Sequence, residues 1–265
     1  MHIQKIKTIN SDHQWKIVSY KNFLTASIAH FIKDKLNNDP NCGLFAVFDG
    51  HGGRQVSDHC AERIGDEMRK EIAKTPGDLS GAIEAVFLRI NDELRLIDAD
   101  NTGSTGCVAI VRQEMGQKVL YVANVGDTRA VMSKNGIAER MSYDHKATDQ
   151  GEYERIKASK GLILDGRVGG TLAITRAFGD HSLKPAGVIA NPYIKKHILK
   201  ITDKFLILAS DGVWDGLEDQ EAVNYCKEDC STKDIAQAIV KGALDKGSKD
   251  NISCLVIRFH STAPF

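Results

Sequence analysis

The sequence has no excess charge of either sign: 35 Lys and Arg balance 35 Asp and Glu over 265 residues. A surface built for nucleic acid or anionic lipid would need a basic excess, so neither partner is expected. Cysteine is scattered. The six (Cys42, Cys60, Cys107, Cys226, Cys230, Cys254) include no CxxC pair, which argues against a zinc ribbon and a disulfide framework. Cys226 and Cys230 would share a helix face, but two thiols without a nearby His are a weak metal signal. Free thiols in a reducing compartment are expected. Long apolar runs are missing too: "FLILA" is far too short to span a bilayer. "MHIQKIKTIN" has no apolar signal core, and His2 stands where N-myristoylation requires Gly. A soluble cytoplasmic protein, open to the nucleus as well, is the expectation. Proline is scarce, with five in the chain, and no repeat, low-complexity tract or linker divides it. One domain over residues 1–265, long enough to bury a full core, is expected. Nothing demands more than a monomer.

What is present begins with apolar runs. "WKIVSY", "GLFAVFD", "TGCVAIVR", "KVLYVANVGD", "RAVMS", "KFLILASDG" and "ISCLVIRF" read as strands. "SKNG" signals a hairpin, because Asn-Gly accepts positive φ at low cost, and "ILDGRV" offers another through Asp165 and Gly166. Helical periodicity follows "DGHGG": Val56, Cys60, Ile64, Met68 and Ile72 form one stripe, and Ile83, Val86, Phe87, Ile90, Leu94 and Ile97 a second. Two such consecutive helices make an antiparallel pair. Ser231 with Asp234 resembles a capping box before "IAQAIVKGALDKG", and Gly247 is placed to stop that helix. Strands arrive as a meander without regular βαβ alternation. The expected class is therefore α+β: antiparallel sheets with helices packed outside.

Several strand-like runs end at an acid beside a glycine: Asp49-Gly50, Gly126-Asp127 and Asp211-Gly212. Asp250-Asn251 opens the last strand. One such ending is usually a turn. Three or four on one rim would place carboxylates against each other and raise their pKa values, a conflict that a cation resolves. Oxygen donors without Cys or clustered His suit a hard ion, Mg²⁺ or Mn²⁺. The His51 of "DGHGG" has little packing role in a glycine-rich corner, although a buried neutral histidine satisfying the glycine loop would also place it there.

These motifs, in their order, resemble those of the metal-dependent protein serine/threonine phosphatases of type 2C. "FAVFDGHGG" is similar to the family's first metal motif, "TGSTGCVAIV" to its small-residue strand, and "VANVGDTRAV" to its Gly-Asp motif. "DHKATDQGEYERI", "VGGTLAITRAFGD", "FLILASDGVWDGL" and "SKDNISCLVIRF" complete the series. The resemblance implies a sandwich of two antiparallel β-sheets flanked by pairs of antiparallel α-helices, with a two-metal centre at one end. It implies that Asp49 bridges both ions, that the Gly50 carbonyl binds the second, and that Asp211 and Asp250 hold the first. Asp127 and Asp215 match positions that bind a weaker third metal in some members. The implied substrates are phosphoserine and phosphothreonine proteins. A phosphomonoester dianion repels hydroxide, and two adjacent divalent ions neutralise it while making a shared water acidic enough to attack directly as hydroxide. The serine or threonine alkoxide needs a proton on leaving, and His51 is placed by analogy as the general acid.

The pattern departs at its N-terminus. The family carries a phosphate-gripping Arg followed by Met-Glu-Asp, and the ungapped register sets "YKNFLTAS" on that motif. Lys21 then stands for Arg as the substrate-binding residue, keeping charge but losing the bidentate fork. Leu24 stands for Met, and Thr25 and Ala26 replace the acidic pair. Losing one carboxylate ligand costs on the order of 10²-fold in metal affinity, so the second site is weakened; water, Thr25 or a displaced acid such as Asp34 would replace it in part. Two readings follow: a working phosphatase with loose second-metal binding, or a weak or inactive phosphatase fold that binds phosphoproteins or regulates a partner. A two-metal nuclease or other phosphoesterase is a third reading, although nothing basic or aromatic-rich suggests a nucleic-acid groove. Arg176 either helps order the site or forms a structural ion pair, and Trp214 reads as core more than as substrate platform. The substrate-side flap is expected around Asp180 to Ile189.

Overall fold

The computed structural model describes residues 3–9 and 15–22 by their backbone pairing, and residues 27–97 and 99–259 in full. The strands are β1 (Ile3–Ile9), β2 (Trp15–Asn22), β3 (Ile28–Lys33), β4 (Gly43–His51), β5 (Gly103–Ser104), β6 (Gly106–Glu114), β7 (Gln117–Val125) and β8 (Arg129–Lys134). They continue with β9 (Ile137–Arg140), β10 (Ile163–Leu164), β11 (Arg167–Val168), β12 (Phe178–Gly179), β13 (Tyr193–Ile198), β14 (Asp203–Ala209) and β15 (Ser253–Phe259). The helices are α1 (Gln55–Lys74), α2 (Leu79–Glu93), α3 (Gln150–Ala158), α4 (Asp211–Trp214), α5 (Asp219–Asn224) and α6 (Thr232–Asp245).

Two antiparallel sheets form a sandwich. One runs β1-β2-β15-β14-β8-β9; the other runs β12-β5-β4-β6-β7-β13, with β3 also paired to β4. Period-two alternation explains why the central strands are apolar on both faces. In β4, Phe45 and Val47 pack between the sheets, whereas Leu44, Ala46 and Phe48 meet α1 and α2. In β14, Leu206 and Leu208 face the sandwich interior, whereas Phe205, Ile207 and Ala209 lie under α4, α5 and α6. This is the expected α+β sandwich.

The two helical stripes become α1 and α2, with Val56, Cys60, Ile64, Met68, Ile83, Val86, Phe87 and Ile90 fully buried, as is Leu94 just past the end of α2. Ile97 departs from the expected stripe: it lies in a 3-10 turn beyond α2 and is exposed. Asp78 caps α2 by accepting from the Gly81 amide at 2.9 Å. Ser231 caps α6 by accepting from the Asp234 amide at 3.1 Å, and Gly247 ends it at φ 90°. The other face carries α6 with two short helices, where the first face carries two long ones. Both hairpins form: Asn135 and Gly136 link β8 to β9, and Asp165 and Gly166 link β10 to β11, all four at positive φ. All six cysteines are free. Among the described residues no helix is long and apolar enough to cross a membrane.

Candidate active site

Antiparallel pairing fixes which strand ends meet. Val47 lies opposite Cys107 and Gly106 opposite Val125, so the exit of β4, the entry of β6 and the exit of β7 share one end of their sheet. Ala209 lies opposite both Cys254 and Arg129, so in the facing sheet the exit of β14 meets the entries of β15 and β8. Asp49, Asp127, Asp211 and Asp250 follow or precede these ends by at most three residues.

The four acids sense each other. The Asp49 carboxyl is held well above the usual carboxylate range, first by burial and then by the charges of Asp211, Asp250 and Asp127. Asp211 is pushed up from 3.8 to about 7 by burial, then by Asp127, Asp250 and Asp215, with Lys146 acting in the opposite direction. Asp127 is also raised, chiefly by burial, with Lys146 as the largest opposing influence. The Lys146 Nζ stands 3.5 Å from Asp127 Oδ2 and brings a positive charge into the cluster. Asp250 and Asp215 are exposed, and the Asp250 carboxylate accepts from the Asn251 amide at 2.6 Å.

A hard divalent cation fits this set. Asp211 Oδ1 is buried and has no hydrogen-bond partner, an arrangement a protein rarely keeps without a use. The donors are oxygens only, and raised carboxyl pKa values mark the positive charge they call for. Among the described residues no three Asp, Glu, His or Cys close into a ligating group. At Gly50 a side chain has no room: a Cβ would come within 2.9 Å of Gly53 O, Ser27 O and Ser57 Oγ. That keeps the backbone beside Asp49 bare on its approach to the rim.

Next to the acids, His51 closes β4. Its Nε2 stands 2.8 Å from Oδ2 of Asp180, whose side chain is 4% exposed against 33% for His51. His51 ends β4 and Asp180 follows β12, two strands that are not neighbours. His51 pairs with Gly103 of β5, and Gly103 pairs in turn with Gly179 of β12. The His-Asp contact passes over Gly103.

The walls of the site are tied by ion pairs. Arg129, at the start of β8, forks onto Asp144, donates to Asp219 at 2.7 Å and stacks 5.1 Å over the Trp214 ring. Trp214 Nε1 donates to Ala209 O at 2.8 Å, which pins the short helix that begins with Asp211. Arg176 forks onto Glu152 of α3, with Nη2 at 2.6 Å, so it forms the structural ion pair. Trp214 is core.

The sequence profile described as "Protein phosphatase 2C" matches residues 20–252. The chain belongs to the protein phosphatase 2C family. It is 36% identical over 229 residues to "Protein phosphatase 2C homolog 1" of Saccharomyces cerevisiae, covering 81% of each chain. The protein of the same name from Schizosaccharomyces pombe is 38% identical over 220 residues, which span 81% of this chain and 63% of that one. Among solved structures, a phosphatase from Toxoplasma gondii superposes with a TM-score of 0.83 at 23% identity, over 97% of this chain and 96% of that one. A Caenorhabditis elegans sex determining protein gives 0.78 at 21% identity, over 92% and 64%. At these identities the structural likeness speaks for the fold.

Within this phosphatase 2C chain, the charges of Asp211, Asp250 and Asp127 act on Asp49, and that of Asp215 acts on Asp211; Gly50 and His51 follow Asp49 in β4. Leu24, Thr25 and Ala26 lie outside the described residues. The strands flanking them reach the same rim: Lys21 pairs with Ser253 in backbone register, and Ile28 pairs with Asp49. Asp34 does not serve as a substitute ligand. Lys33 pairs with Leu44 at the opposite end of β3, which sets Asp34 about 20 Å from Asp49 by strand rise. The flap expectation at Asp180 to Ile189 needs correction at its start, because Asp180 and His181 are buried and the His181 and Ser182 amides donate to Ala99 O and Asp100 O. Sequence reading missed Asp180 and Lys146 as members of the site. A signal for the first was present, since "TRAFGD" ends on the same Gly-Asp pair as "VANVGD".

Proposed function

We propose that this chain is a metal-dependent protein serine/threonine phosphatase acting on phosphoserine and phosphothreonine in proteins, as a cytoplasmic monomer. The observation that carries the reading is the convergence of Asp49, Asp127, Asp211 and Asp250, with Asp211 Oδ1 orphaned and both Asp49 and Asp211 pushed toward protonation. Asp49, the Gly50 carbonyl, Asp211 and Asp250 are the residues that would hold Mg²⁺ or Mn²⁺, with Asp127 and Asp215 available to a further, weaker ion. When bound, such ions supply charge neutralisation for the phosphate dianion and a more acidic water. Partial burial of Asp49 and Asp211 limits how far water screens their carboxylates, and the fork of Arg129 with Trp214 holds the helix carrying Asp211 in place. His51 stands at the rim to give a proton to the departing serine or threonine oxygen. Lys21, from the strand that reaches Ser253, is assigned to the substrate phosphate.

Thr25 and Ala26, in place of an acidic pair, favour a second reading of weak or absent catalysis with phosphoprotein binding retained. Hydrolysis of a phosphothreonine peptide across a Mn²⁺ titration separates the two, with Asp211→Asn as the blank. The phosphatase reading expects saturable turnover at least 100-fold above that blank. Rates equal to the blank at saturating Mn²⁺ would leave only the binding role.

A further inference from the structure

The proposed chemistry asks His51 for one proton, and the structure constrains which ring nitrogen can give it. We propose that Asp180 is the positioning residue for His51, holding Nε2 and so committing Nδ1 to protonation of the leaving oxygen. This rests on the phosphatase reading.

Three observations carry the inference. The Nε2 to Oδ2 distance is 2.8 Å, and Asp180 is 3% exposed. A buried carboxylate needs a donor, and a carboxylate only accepts, so Nε2 carries the hydrogen of this bond. Among the described residues no hydrogen bond engages Nδ1. Second, the intervening strand is cut away at the crossing point. A Cβ on Gly103 would lie 2.1 Å from Asp180 Oδ2 and 2.6 Å from His51 Nε2, so any other residue at 103 would wedge the pair apart. Third, Asp180 holds a left-handed backbone (φ 49°, ψ 43°), fixed by its own amide donating to Thr102 O at 2.8 Å and its carbonyl accepting from the Leu183 amide at 2.9 Å. A non-glycine residue in that conformation persists where its surroundings over-determine it, often at functional sites.

The step balances. The bond from phosphorus to the seryl or threonyl oxygen breaks, and one from phosphorus to a water oxygen forms. The departing oxygen leaves as the alcohol with the Nδ1 proton, and the ring recovers a proton released by the attacking water. An alkoxide depends on that proton, whereas a nitrophenolate leaves without it. A residue that only orients the proton donor should therefore matter for one class of substrate and not for the other.

The test compares a phosphothreonine peptide with p-nitrophenyl phosphate at saturating Mn²⁺. Asp180→Gly removes the carboxylate while suiting the left-handed backbone; Asp180→Asn keeps an acceptor of the same shape; Gly103→Ala approaches the pair from the other side. Expected for D180G is a 10- to 100-fold loss of kcat on the peptide, with KM within about twofold and the aryl phosphate rate within about threefold. D180N should recover part of the peptide rate, G103A should share the selectivity of D180G, and H51A combined with D180G should be no worse than H51A alone. If D180G does not fold, as judged by its melting transition, D180N and G103A carry the same contrast. Equal losses on both substrates, losses that multiply with H51A, or an unaffected peptide rate would overturn the role of Asp180. A wild-type chain inactive on both substrates would instead overturn the phosphatase reading, and this inference with it.

Discussion

At the scale of the residue, the acids of the site cost the fold stability, and that cost is measurable. Asp211 moves from its ordinary 3.8 to about 7 in the folded chain, chiefly through burial. A raised folded value means that the unfolded chain releases the proton first. The penalty is absent below about pH 4, grows between pH 4 and 7, and is full above that. In EDTA, Asp211→Asn is therefore expected to be more stable than wild type, by a margin that widens across this window at roughly 1.4 kcal/mol per pH unit at most. Urea unfolding at several pH values reads the difference, which removes contributions common to both proteins. His145 is one such contribution: burial lowers it to about 4, and it weakens the fold in the opposite direction as pH falls from 6.5. A flat difference between the two proteins would mean that Asp211 is not crowded by its neighbours. Asp49, Asp127 and Asp211 were legible in sequence because each sits beside a glycine at a strand end, and Asp250 because it stands just before the last strand beside Asn251. Asp180 carries the same Gly-Asp signal, but its partner was not legible, because the contact with His51 crosses Gly103 between segments far apart in the chain.

At the scale of the element, Glu152 holds α3 to the segment that leads into β12. Its carboxylate accepts from Arg155, Thr175 and Arg176 and is lowered from 4.5 to about 2, burial opposing and these hydrogen bonds prevailing. A depressed folded value contributes stability that is complete above pH 4.5 and is lost as pH falls toward 2. Glu152→Gln should cost about 2 kcal/mol near neutrality, because it removes a buried carboxylate and leaves the half-buried Arg176 without its counter-charge. It should also flatten the acid limb of the stability curve below pH 4.5, as circular dichroism melts would show. An unchanged acid limb would contradict the assignment. Elements themselves were legible where burial was two-sided: β4, β6, β7, β14 and β15 are near-continuous apolar runs. "YIKKHI" and "IAER" escaped notice because β13 and β9 are edge strands with solvent-facing polar residues. Two-residue strands such as β5 and β12 have no period to read at all, yet they carry the contact between His51 and Asp180.

At the scale of the whole molecule, the two sheets bring their strand ends to one rim, so a cation bound there would tie β4 and β7 to β14 and β15. Binding to the folded chain alone stabilises it, by about 2.7 kcal/mol at 100 times Kd. The N-terminal strand feeds the same rim, since Lys21 pairs with Ser253 and Ile28 with Asp49. Restoring the acidic pair, as Thr25→Glu with Ala26→Asp, is accordingly expected to lower the Mn²⁺ concentration for half-maximal activity by tenfold or more. No change in that concentration would place the family's acidic pair elsewhere in the chain. The most direct measurement is calorimetric titration of Mn²⁺ into the metal-stripped protein beside Asp211→Asn. Saturable uptake by wild type, sharply weakened in the variant, is the predicted result. Absence of uptake, or equal uptake by both, would contradict a metal centre built on these carboxylates.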